Sequence, residues 1–116
     1  MNTSDKAPDW EVACPLETLR EGTPKGVKLK GVPVALYKVG DKVYATHDIC
    51  THAYAHLSDG FIENHLIECP LHGAIFDVRD GKCLAVAPCD LQTYSVKIAD
   101  GAVSVLLPAS DGDENG

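Results

Sequence analysis

Hydrophobic positions along the chain fall in short runs and alternations, broken every few residues by turn chemistry. Val34-Ala35-Leu36-Tyr37-Lys38-Val39 reads as a strand, Gly40-Asp41 as a two-residue turn, and Lys42-Val43-Tyr44-Ala45-Thr46 as the returning partner. Phe61-Ile62-Glu63 and Leu66-Ile67-Glu68 flank Asn64-His65 in the same way, and Arg79-Asp80-Gly81-Lys82 marks a further turn. Tyr94, Val96 and Ile98 alternate with Ser95 and Lys97, which predicts one strand. Asp100-Gly101 then turns the chain into Val103, Val105 and Leu107. No amphipathic helix of useful length is present; Leu16 to Arg20 predicts a single turn. The expected fold is all-β, a small antiparallel sandwich or barrel spanning residues 1–107. Residues 108–116 are acidic and contain glycine, and are expected to form a flexible tail.

Composition narrows the function. The 116 residues suffice for one domain, and 45% hydrophobic with 23% charged residues is ordinary for a soluble one. The formal charge of -7 excludes the usual nucleic-acid binder and argues against docking on anionic membranes. The longest apolar run, Val32 to Tyr37, is far short of a membrane span and contains Pro33. The first nine residues are polar and carry no signal core, so a cytoplasmic location is expected. Charge is uneven: residues 20–42 carry six bases against two acids, and residues 43–116 eleven acids against three bases. Most of these single charges read as a solvated surface, and an acidic half of this kind could in addition steer a basic partner.

Five cysteines, an odd number, cannot form a complete set of internal disulfides. In a reducing compartment thiols stay free or bind metal. Two segments stand out, Cys50-Thr51-His52 and Cys69-Pro70-Leu71-His72, each pairing a thiolate donor with an imidazole donor, with sixteen residues between His52 and Cys69. The hairpin at Phe61–Glu68 brings the two segments together. Thiolate and imidazole suit iron or zinc, not calcium or magnesium. Two inorganic sites fit: one tetrahedral zinc, or a [2Fe–2S] cluster with two cysteines on one iron and two histidines on the other. Zinc sites usually group their cysteines in one pair and their histidines in another, whereas here each loop carries one of each, an arrangement that serves the mixed-ligand cluster. His47, His56 and His65 lie outside this pattern and read as loop or surface residues, with His56 placed to tune the site. Cys14, Cys83 and Cys89 read as small buried hydrophobes.

The spacing Cys-x-His, sixteen residues, Cys-x-x-His resembles the Rieske iron–sulfur motif. Leu57-Ser58-Asp59-Gly60-Phe61, Phe76-Asp77 and Gly81-Lys82 extend the likeness to the small Rieske ferredoxins of bacterial aromatic-ring dioxygenase systems, from about Trp10 to Leu106. The resemblance implies a β base with an inserted cluster-binding subdomain at about residues 46–89. It implies one Rieske-type [2Fe–2S] cluster, with Cys50 and Cys69 on the buried iron and His52 and His72 on the iron nearer the surface. High-potential members carry an extra disulfide, whose places here look like Ala55 and Leu71, and hydroxyl donors to the cluster sulfurs, whose places look like Ala74 and Phe76. Lacking both, the cluster is expected near the low end of the Rieske range, toward about -150 mV.

The resemblance further implies a carrier of single electrons rather than an enzyme. Electrons would come from an FAD-containing, NAD(P)H-dependent ferredoxin reductase and go to the terminal oxygenase of an aromatic-ring dioxygenase system, itself a Rieske non-haem iron protein. Two alternatives stand beside this reading: the small Rieske subunit of an assimilatory nitrite reductase, and a structural Cys2His2 zinc module. The docking face is expected around the ligand loops, with Tyr54, Ala55, Leu71 and Pro88 as apolar contacts and Asp48, Asp59 and Asp90 at an acidic rim.

Overall fold

Alternation of apolar and polar residues builds strands throughout the chain. The computed structural model describes residues 9–50, 55–71, 73–85 and 90–108. These form β1 (Asp9–Pro15), β2 (Lys25–Leu29), β3 (Val32–Val39), β4 (Lys42–His47), β5 (Phe61–Glu63), β6 (Leu66–Glu68), β7 (Ile75–Asp77), β8 (Cys83–Ala85), β9 (Thr93–Tyr94), β10 (Val96–Ala99) and β11 (Ala102–Leu107), with short 3₁₀ turns at Leu16–Thr18 and Leu57–Asp59. They assemble into three antiparallel sheets, ordered β1-β11-β10, β2-β3-β4-β9 and β5-β6-β7-β8.

The first two sheets face each other across one core of Cys14, Leu19, Leu29, Val34, Leu36, Val43, Ala45, Val103, Val105 and Leu107. A second core lies between the other face of β3 and the third sheet, and holds Ala35, Tyr37, Cys50, Leu57, Ile67, Cys69, Ala74, Phe76, Val78 and Leu91. β3 serves both. Side chains alternate across a strand, so Val34 and Leu36 enter the first core while Ala35 and Tyr37 enter the second. This is why the chain reads as an unbroken apolar run there, as strands buried on both faces do.

The predicted hairpins form as expected: Val39 pairs with Lys42 around Gly40-Asp41, Glu63 with Leu66 around Asn64-His65, and Ala99 with Ala102 around Asp100-Gly101. One expectation is corrected. The alternation from Tyr94 to Ile98 is not a single strand: it divides at Ser95, with Tyr94 pairing Ala45 in the second sheet and Val96 pairing Val105 in the first. One segment thereby crosses from sheet to sheet and closes the sandwich. The chain beyond the third sheet packs at Leu91 against Gly81 of the β7–β8 turn, whose φ of +79° and contact with the Leu91 carbonyl leave no room for a Cβ. The Leu91 N–H donates to the Gly81 carbonyl at 2.7 Å, tying the return of the chain to this turn.

Candidate metal centre

Two loops of the same construction meet in the second core. The first leaves β4 through Asp48, Ile49 and Cys50; the Cys50 N–H donates to the Ala55 carbonyl at 2.9 Å. The second links β6 to β7; the Cys69 N–H donates to the Ala74 carbonyl at 2.7 Å. Each cysteine thus begins a four-residue loop closed by the carbonyl of an alanine five positions on. Each loop rests on a small antiparallel ladder, Ile49 with His56 in one and Glu68 with Ile75 in the other. Both cysteines are buried, Cys50 at 5% exposure and Cys69 at 1%.

The Cys69 thiol lies within hydrogen-bonding reach of the Cys50 thiol. Burial pushes Cys69 up from the usual thiol range; the Leu71 N–H, 3.5 Å from its sulfur, opposes this, and neighbouring Cys50 pushes it further up. The Cys69 thiolate is thus disfavoured unless a cation offsets its charge, and thiolate is the form that ligates metal. The donor set therefore fits an iron–sulfur group. The Leu71 N–H adds a backbone donor to the Cys69 sulfur, the kind of contact that tunes such groups. His52 and His72 lie outside the described residues, as do Tyr54, Pro88 and Cys89. Among the described residues no three His, Cys, Asp or Glu side chains converge as metal ligands.

The other candidates are placed as follows. Ala74 and Phe76 are fully buried in the core that holds both cysteines, and neither carries a hydroxyl. Ala55 is half-buried and Leu71 is 46% exposed. Cys14 belongs to the first core, and Cys83 is half-buried in β8 with its N–H donating to Asp90 at 2.9 Å. His47 reaches the Tyr94 hydroxyl at 3.3 Å, and the His65 ring stands edge-on to Tyr44.

Asp48 contradicts its assignment to an acidic docking rim. It is 4% exposed, and its carboxylate accepts the Ser58 N–H at 2.7 Å, the Ser58 hydroxyl at 3.0 Å and contacts His56 Nδ1 at 3.1 Å. A charge in a polar-looking sequence reads as solvated; its burial depends on donors eight and ten positions later, which spacing alone did not reveal. Asp59 and Asp90 remain exposed.

Residues 9–97 match the family model for the Rieske [2Fe-2S] domain. The ferredoxin component of the naphthalene 1,2-dioxygenase/salicylate 5-hydroxylase systems of a Ralstonia species is 47% identical over 100 residues, covering 85% of this chain and 96% of that protein. Among solved structures, the ferredoxin in a complex of reduced oxygenase and oxidized ferredoxin of carbazole 1,9a-dioxygenase superposes with a TM-score of 0.78 at 39% identity, covering 85% of this chain and 94% of that one. The putative NADH-dependent nitrite reductase small subunit of Mycobacterium tuberculosis superposes with a TM-score of 0.77 at 25% identity, covering 84% of this chain and 94% of the other.

Proposed function

The chain belongs to the Rieske [2Fe–2S] domain family, and from that premise we propose that it is the ferredoxin of an aromatic-ring dioxygenase system, carrying single electrons to a terminal oxygenase. It holds one Rieske-type [2Fe–2S] cluster and is an electron-transfer component, not a catalyst on its own. Cys50 and Cys69 supply thiolates to one iron, and His52 and His72 supply imidazoles to the other. The observation that carries the reading is the pair of matched loops that set two buried cysteines side by side. The cluster supplies reversible one-electron reduction at a potential above that of all-cysteine ferredoxins.

The chain's own residues do the rest. The second core keeps water from the thiolates, and the Leu71 N–H and the loop-closing bonds hold Cys50 and Cys69 in place. Exposed Leu71, one residue before His72, gives a partner an apolar contact beside an iron ligand. The oxygenase partner is supported by the carbazole dioxygenase complex. The electron source is an FAD-containing, NAD(P)H-dependent reductase, whose flavin takes two electrons as hydride and releases them one at a time to such a carrier. Among the described residues no helix is long and apolar enough to cross a membrane. We place the protein in the cytoplasm, where its thiols stay reduced for cluster assembly.

Reconstitution tests the assignment. Purified holoprotein is added to the reductase and oxygenase of a naphthalene-type system lacking its own ferredoxin, and hydroxylated product is measured. Product that depends on the added chain supports the reading. No product there, with electrons instead delivered to the catalytic subunit of a nitrite reductase, overturns it.

A further inference from the structure

The buried carboxylate of Asp48 joins three parts of the molecule. Its own N–H donates to the Pro33 carbonyl at 3.0 Å, which ties the incoming arm of the first loop to β3. Its carbonyl accepts the Leu57 N–H at 2.6 Å, and its carboxylate accepts both donors of Ser58, so the outgoing arm closes on the same residue. On the far side lies Gly26 of β2. A Cβ there would stand 2.6 Å from Ser58 Oγ and 3.0 Å from Asp48 Oδ2, so only glycine lets the carboxylate and its serine seat against the strand. Such a fit is not needed for a hairpin alone: the second loop has the same closing bond to an alanine carbonyl, yet among its described residues no side-chain hydrogen bond joins the two arms.

We propose that Asp48 is a positioning residue that locks the first ligand loop onto the base sheet, and that its fixed negative charge biases the cluster toward the oxidised state. The proposal rests on the ligand assignment above, with Cys50 two residues from Asp48. Ser58 donates to both carboxylate oxygens, its N–H to Oδ1 and its hydroxyl to Oδ2, and His56 Nδ1 meets Oδ2 at 3.1 Å, so the carboxylate serves as the acceptor that closes the loop. In a water-poor core a unit charge acts over longer range than at the surface. Its field reaches the second core: burial mainly, and the Asp48 charge in addition, push Tyr37 above the ordinary phenol range. Adding an electron beside a fixed anion is disfavoured, so Asp48 holds the potential down. Loop geometry and redox balance thus depend on one side chain.

The test is a redox titration of the intact holoprotein at fixed pH, with Asp48→Asn and Ser58→Ala. Asp48→Asn keeps the shape and removes the charge. The expected result is about a tenfold higher ratio of reduced to oxidised cluster at any set potential, which is about 59 mV for a one-electron couple. Ser58→Ala keeps the charge and removes one donor; its ratio should stay near wild type while backbone amides of the first loop exchange with deuterium severalfold faster. A ratio for Asp48→Asn at or below wild type, with the visible spectrum intact, overturns the proposal. If Asp48→Asn retains no cluster, Gly26→Ala decides, because it keeps the carboxylate and displaces Ser58. Severalfold faster iron loss to a chelator supports the lock, and loss at the wild-type rate overturns it. No partner protein enters these measurements, so failure of the electron-delivery reading leaves their outcome separate.

Discussion

Tyr37 and Thr46 share a hydrogen bond whose two ends are not equivalent. Both residues are fully buried, with the Tyr37 hydroxyl 2.9 Å from Thr46 Oγ1. Thr46 has one hydroxyl proton, and it points to the His47 carbonyl at 2.9 Å. Tyr37 is therefore the donor in the shared bond. Tyr37→Phe leaves Thr46 still donating to His47 and removes one bond, a loss of about 0.5–1.5 kcal/mol. Thr46→Val keeps the shape but strands a buried phenol O–H with no acceptor and also takes the donor from the His47 carbonyl, so its cost is at least the desolvation of the phenol, about 1–3 kcal/mol. Removing both hydroxyls strands nothing at this bond, so the double variant should be no worse than Thr46→Val alone. The two changes should thus couple by about 1 kcal/mol or more. Urea unfolding of the four holoproteins, matched for iron content, measures the cycle. If Tyr37→Phe costs as much as Thr46→Val, or the two effects simply add, the assignment of donor and acceptor is refuted.

Three further outcomes follow from named contacts. Ala74→Ser with Phe76→Tyr places hydroxyls in the core that holds both cysteines, and should raise the potential by an amount on the order of tens of millivolts; voltammetry showing no rise with an intact cluster would remove these positions from the sulfurs' surroundings. The Arg79 guanidinium, hydrogen-bonded to Asp77 at 2.7 and 3.0 Å, holds its carboxyl below the usual range, which stabilises the fold above about pH 3.9 and ceases to as pH falls through the lowered value. Arg79→Gln should therefore be slightly less stable than wild type at neutral pH, with the gap closing in acid unfolding curves. Leu71→Asp should slow electron transfer to the oxygenase in stopped-flow at every ionic strength, since it removes an apolar contact; an unchanged rate would move the docking face elsewhere.

The hairpins around Gly40-Asp41, Asn64-His65 and Asp100-Gly101 were legible because turn chemistry and alternation are local signals. β1, β2, β7 and β8 were not marked out. β7 and β8 have three residues each, too short for a period to show, and β1 carries a bulge between Val12 and Cys14 that breaks its alternation. The split at Ser95 was hidden because both halves keep one alternation while pairing with different sheets. Of the four proposed ligands, the structure brings together Cys50 and Cys69, which the spacing had singled out. The Asp48–Ser58–Gly26 contacts left no trace in the sequence, since a serine, a glycine and an aspartate on separate segments form no motif until the fold joins them.

The central claim is that Cys50, His52, Cys69 and His72 hold a mixed-ligand [2Fe–2S] cluster. The most direct measurement is electron–nuclear double resonance on the reduced protein labelled with ¹⁵N-histidine. Two histidine nitrogens should couple to the cluster in wild type, and any paramagnetic cluster retained by His52→Cys or His72→Cys should show only one. Cys83→Ala should leave the wild-type signal unchanged. Absence of histidine coupling in wild type, or both nitrogens persisting in His72→Cys, would contradict the account.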